Sequence, residues 1–139
     1  MKHPNRPITF AKSRYLLSYR RLNPTLSEIL IDLLDHIPPE YEVILTSLDR
    51  TAAEDAALGG SGIHSDASIG WRAVDIAILK DGKGVSNDIY EPIAAAINNR
   101  WEYDAKRPNM LCCFAKPHGT GPHFHLQVHL TSRKRPQVV

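Results

Sequence analysis

Two stretches of this chain alternate apolar and polar residues at the period of a half-buried strand. Residues 73 to 78 run Ala-Val-Asp-Ile-Ala-Ile, which sends Val74, Ile76 and Ile78 to a core and leaves Asp75 on the opposite face, between the small side chains of Ala73 and Ala77. Residues 123 to 129 run His-Phe-His-Leu-Gln-Val-His, so a strand puts His123, His125, Gln127 and His129 on one face and Phe124, Leu126 and Val128 on the other. Apolar runs over 41 to 46 and 111 to 115 read as further strands. Helical spacing appears elsewhere. Thr25-Leu26-Ser27-Glu28 offers a capping box before Ile29, Leu30, Ile31, Leu33, Leu34 and Ile37, and Pro38-Pro39 closes that helix. Residues 51 to 58 form an alanine-rich helix ended by Gly59-Gly60, and Ser86-Asn87-Asp88 caps one that carries Ile89, Ile93 and Ile97.

Turn chemistry joins these pieces. Asp81-Gly82-Lys83-Gly84 reads as a turn, and the Pro- and Gly-rich run from Lys116 to Pro122 reads as the loop of a hairpin feeding the His123 strand. The pattern predicts an α+β fold in which a small antiparallel or mixed sheet has helices packed on one side. A single domain over 1–139 is expected, with residues 1–12 as an N-terminal extension and 131–139 as a basic tail, both flexible. No internal repeat or low-complexity tract interrupts it.

Composition narrows the function classes. With 139 residues and 42% hydrophobic content, the chain can build a core without disulfide staples. Its 17 basic and 15 acidic residues leave a net charge of only +2, which argues against a dedicated nucleic-acid binder. The basic residues cluster toward the ends, from Lys2 to Arg21 and from Arg133 to Arg135. That pattern reads as solvated ends; a DNA-binding role would show itself as steeply salt-dependent affinity. Cys112 and Cys113 are adjacent in an apolar run, so they read as buried thiols of a reduced compartment. No stretch approaches membrane-spanning length, and charge follows Ile8-Thr9-Phe10 where a signal peptide would need an apolar run. The expectation is synthesis in the cytoplasm without membrane insertion, as a monomer.

The candidate chemistry lies in the two alternating strands and in Ser61-Gly62-Ile63-His64 upstream. Two imidazoles and a carboxylate are a common way to hold a catalytic zinc with one position left open. At the rise of an extended strand, His123 and His125 stand about 7 Å apart and can share a site, whereas His129 lies about 13 Å beyond His125 and falls outside it. His118 reads as a turn residue, and His3, His36 and His129 as structural or exposed.

The order of these pieces resembles the zinc peptidases that cut bacterial cell-wall peptides, a group that includes D-alanyl-D-alanine carboxypeptidases, phage L-alanyl-D-glutamate endolysins and the hedgehog signalling domain. The resemblance covers residues 41 to 129. It rests on Leu45-Thr46-Ser47-Leu48-Asp49-Arg50, on Ser61-Gly62-Ile63-His64, on Gly70 to Asp75, and on His123-Phe124-His125-Leu126. It implies a Zn2+ enzyme with His64, Asp75 and His125 as ligands and water in the fourth position. It further implies that Arg50 holds the substrate's carbonyl or carboxylate and offsets charge in the tetrahedral intermediate. His123 would assist proton transfer, and Ser61 would contact the substrate; Trp71, next to a glycine, either lines the substrate groove or packs in the core. The partner would be a peptidoglycan stem peptide, and the place of action the cell wall, reached after release or as a virion component.

Two departures from the family pattern stand out. Ten residues separate His64 from Asp75, more than the family usually has, although a surface loop absorbs extra residues at small entropic cost. Many members place a glutamate base three residues before the last ligand, and Pro122 stands there in this chain. The rival reading is therefore a non-catalytic metal-binding structural or virion-associated module on the same fold.

Overall fold

The strand over 73 to 78 forms as its alternation dictates, and the rest of the sheet is built outward from it. The computed structural model describes residues 7–50, 52–57, 62–65, 68–116 and 121–136. Strand β3 (Ala73–Lys80) buries Val74, Ile76 and Ile78 completely. On one side it pairs antiparallel with β2 (Glu42–Ser47), and on the other with β7 (His123–Gln127), which continues to β6 (Cys113–Lys116). The hairpin expected around Lys116 to Pro122 is the β6–β7 pair, with Lys116 opposite His123. Strand β1 (Ile8–Phe10) adds to β2 in parallel, giving the sheet order β1-β2-β3-β7-β6.

Ile8–Phe10 lies in the segment expected to be a loose extension, and three residues of it are a sheet edge. Likewise Arg133–Lys134, in the expected flexible tail, forms β8 against β5 (Trp101–Glu102). At the turn after β3, Asp81 and Gly82 both take positive φ (53° and 75°), the two-residue hairpin geometry. That turn folds β4 (Lys83–Gly84) back onto β3.

Two helices cover one face of the sheet. Helix α2 (Pro24–His36) buries Leu26, Ile29, Leu30, Leu33 and Leu34, and α4 (Asn87–Arg100) buries Tyr90, Ala94 and Ile97. The spacing of four expected for Ile89, Ile93 and Ile97 drifts around a 3.6-residue helix. Ile89 and Ile93 are consequently half-buried flanks of a face centred on Tyr90 and Ala94. Tyr90 packs its ring 4.6 Å from that of Phe124. Its hydroxyl accepts from the Ile78 N–H at 2.8 Å and donates to the Ile78 carbonyl at 3.3 Å, satisfying backbone groups beyond the last β3–β7 pair. Asp32 of α2 accepts from Arg100 and from Trp101 Nε1, tying α2 to the end of α4.

The start of α2 differs from the expected capping box. Asn23 is the cap, its Oδ1 accepting from the N–H groups of Thr25 and Leu26, and Pro24 occupies the first turn, where its missing N–H costs nothing. A short helix α1 (Tyr15–Tyr19) precedes it, and α3 (Ala52–Ala57) follows β2. Leu58, Gly59 and Gly60, expected to end α3, lie outside the described residues. No helix among the described residues is long and apolar enough to cross a membrane.

Candidate metal centre

On the face of the sheet away from α2 and α4, pairing places Ser47, Asp75, His125 and Phe114 in one row across β2, β3, β7 and β6. The register between β2 and β3 slips at Thr46, so Ser47 rather than Thr46 stands opposite Asp75. Such a bulge re-aims the strand that carries it. The next residues then swing over the row: Arg50 N–H donates to the His64 carbonyl at 2.9 Å, and a single 3₁₀ turn, Ile63–Ser65, delivers His64 to Asp75.

His64, Asp75 and His125 form a buried group whose candidate donor atoms lie within 4.8 Å of one another, close enough to hold a metal ion. His64 is 3% exposed, and its Nδ1 is 2.8 Å from the Leu48 carbonyl. A carbonyl only accepts, so Nδ1 carries the proton and Nε2 of the neutral ring carries a lone pair. That Nε2 is buried without a hydrogen-bond partner and stands 3.4 Å from Asp75 Oδ1. A lone pair and a carboxylate oxygen facing each other out of water repel; a shared cation turns the contact favourable. The donor set of two nitrogens and one oxygen suits zinc.

His125 Nδ1 approaches the same oxygen, Asp75 Oδ1, at 2.8 Å. Burial pushes the Asp75 carboxyl up, but a hydrogen bond from the His125 imidazole outweighs that and holds it well below the usual carboxylate range. Its second oxygen, Oδ2, faces Arg50 Nη2 at 3.5 Å, and Arg50 Nε donates to Ser47 Oγ at 3.1 Å. The guanidinium is thereby anchored at the edge of the group, and the Arg50 side chain stays 17% exposed. Asp49 and Glu54 meet Arg14, at 3.4 and 3.0 Å.

The longer connection between His64 and Asp75 is clamped to the α1–α2 junction. Gly70 adopts φ +81°, and a Cβ there would lie 2.7 Å from Asn23 N and 3.0 Å from the Arg21 carbonyl. Trp71 N–H donates to that same Arg21 carbonyl, Asn23 N–H to the Trp71 carbonyl, and Asn23 Nδ2 to the Ile69 carbonyl. The Trp71 ring is half-buried against the core.

His123 is half-buried on the His125 side of β7, and its Nδ1 lies 3.0 Å from the Gly121 carbonyl. Ser61 and His118 fall outside the described residues, as does His3. His36 bonds the Asp32 carbonyl one turn back in α2, and His129 leaves β7 to stack on Tyr103 with ring centroids 5.8 Å apart. Both cysteines are buried free thiols. Several basic residues of the chain ends are engaged with acids: Arg14 as above, and Arg133 with Glu102 at 2.9 Å. Three partners of the group carried no assignment from the sequence: the Leu48 carbonyl, Phe114 with its ring 6.0 Å from His125, and Gln127. Of these, only Gln127 had a local signal, standing two residues from His125 on the same strand face.

No protein-family model matches the chain, and no curated protein matches it. Among solved structures, the L-Ala D-Glu endopeptidase ChiX of Serratia marcescens is similar in chain trace, with 20% identity over 91% of this chain and 94% of that one and a TM-score of 0.46. The chemical reading of the site rests on this chain's own residues.

Proposed function

We propose that this chain is a zinc-dependent peptidase that hydrolyses an amide bond in a peptidoglycan stem peptide, with His64, Asp75 and His125 holding the ion. The observation that carries the reading is the buried, unpartnered Nε2 of His64 aimed at an ionised Asp75 that His125 also meets. Zinc held by three protein ligands keeps a position for water and makes that water nucleophilic near neutral pH. The chain's residues supply the rest. Arg50, braced by Ser47, keeps a fixed positive charge beside the triad, where it holds the substrate's carbonyl or carboxylate and offsets the charge that builds on the carbonyl oxygen. His123 donates its Nδ1–H to the Gly121 carbonyl, which leaves the Nε2 lone pair to accept a proton and pass it to the leaving amine. Ser61 and Trp71 belong to the same reading as substrate contacts.

The substrate class is supported by the order of motifs from Arg50 to His125, which is that of the cell-wall peptidases. A phage enzyme, released to the wall or carried in the virion, fits that substrate. The test is metal analysis of the purified protein together with cleavage of purified muropeptides. Cleavage is expected to vanish on chelation, to return with zinc, and to be absent in His125→Ala. Protein without stoichiometric metal overturns the proposal. One observation favours a second reading: Pro122 stands where a glutamate base is common. Full zinc occupancy with no cleavage of any muropeptide selects the non-catalytic metal-binding module.

A further inference from the structure

Gln127 follows His125 by two residues on β7 and is 8% exposed. Its backbone is fixed, since it pairs with Ala73 and its N–H donates to the Cys112 carbonyl at 2.9 Å. Its side chain is fixed as well: the amide nitrogen donates to the Leu111 carbonyl at 2.9 Å, and Oε1 lies 3.1 Å from His125 Nε2. The Leu111 carbonyl only accepts, so reversing the amide would set two acceptors against each other. Oε1 therefore faces His125, where it can accept only from a protonated Nε2. Asp75 Oδ1, 2.8 Å from Nδ1, is an acceptor as well, so the one proton of a neutral ring serves a single side, and a cation shared by Nδ1 and Oδ1 sends it to Nε2.

We infer that Gln127 is a positioning residue that locks His125 in the tautomer binding the metal through Nδ1. This rests on the metal reading above and extends it to a residue outside the ligand set. The competing state is one in which His125 turns its N–H toward Asp75. That hydrogen bond satisfies both groups and leaves Asp75 Oδ1 and the ring nitrogen unavailable to a cation. Gln127 disfavours this state because a neutral ring that protonates Nδ1 presents a lone pair to Oε1. The two histidines are locked in opposite senses: the Leu48 carbonyl makes Nε2 the donor atom of His64, and Gln127 makes Nδ1 the donor atom of His125.

Two substitutions separate this role from space filling. Gln127→Met keeps the length and loses both hydrogen bonds. Gln127→Glu keeps an acceptor for His125 Nε2 but sets a carboxylate against the Leu111 carbonyl. Zinc affinity, measured by competition with a chromophoric chelator, is expected to fall about 10- to 100-fold in the Met variant, the usual cost of losing such a partner. It is expected to recover most of that loss in the Glu variant. Long-range ¹H–¹⁵N spectra of the zinc-loaded wild type are expected to place the remaining His125 proton on Nε2 and that of His64 on Nδ1. A residue that only fills space and satisfies Leu111 predicts the reverse order, with Glu at least as harmful as Met. That order, wild-type affinity in the Met variant, or an Nδ1 proton on zinc-loaded His125 overturns the inference. Wild-type protein that binds no zinc overturns the metal reading beneath it, a result distinct from any of these.

Discussion

Replacing Gly70 by alanine tests whether the long connection between His64 and Asp75 is clamped or merely tolerated. The left-handed φ of +81° costs an L-residue about 1–2 kcal/mol. The new Cβ would also fall 2.7 and 2.8 Å from Asn23 N and Cα, backbone atoms that cannot rotate away. Relieving that overlap moves Asn23, whose side chain caps α2 and whose N–H bonds Trp71. Weakening a cap and one backbone hydrogen bond adds about 2 kcal/mol. The total of about 3–4 kcal/mol corresponds to a fall in melting temperature of about 12–16 °C at roughly 4 °C per kcal/mol for a chain of this size. Gly82→Ala is the control: its φ of +75° carries a similar backbone penalty, and nothing lies within 4 Å of its Cβ position. It should lower the melting temperature by only about 4–8 °C. Circular-dichroism melts and urea titrations of both variants in chelator read the difference directly. Equal losses in the two would refute the close approach at Asn23 and with it the clamp.

Two more expectations concern buried titratable groups. In metal-free protein, the depressed Asp75 carboxyl stabilises the native state above the ordinary carboxylate value of about 3.9, a contribution that is lost as pH falls from there toward the folded-state value. Asp75→Asn should therefore flatten the stability–pH curve below about pH 4, and urea midpoints that keep the wild-type slope would contradict this. Burial pushes the Cys112 thiol up to about 12 and Cys113 higher still. Native protein at pH 8 should leave both unmodified by iodoacetamide while denatured protein is alkylated twice, as mass spectrometry will show; rapid alkylation of the native form would place a thiol at the surface.

The site was legible in sequence wherever alternation decided a face. Asp75 between two alanines and His125 between Phe124 and Leu126 needed only the period of two, and the strands that carry them pair as that period requires. The helix start at Asn23 was obscured by a capping box two residues later. The structure prefers Asn-Pro because Asn23 can serve α2 and the Ile69 carbonyl together, a tertiary advantage that no local window contains. Ile8–Phe10 is too short for periodicity, and Arg133–Lys134 is charged; each becomes a strand only because β2 or β5 offers an edge. Gln127 was placed on the right face, but its role depends on Leu111. That residue was expected inside a strand; the strand starts at Cys113, leaving the Leu111 carbonyl to take the Gln127 amide.

Asp75 and His125 face each other across β3 and β7 although they lie 50 residues apart in the chain. Strands paired at such separation close a long loop before contacts repay its entropy, which delays them relative to local helices. The unfolded chain thus offers zinc scattered side chains rather than a chelate. An ion that binds only after this pairing lowers the free energy of the native state and leaves the folding barrier almost unchanged. Zinc should accordingly act as a brake on unfolding and leave the refolding rate nearly untouched.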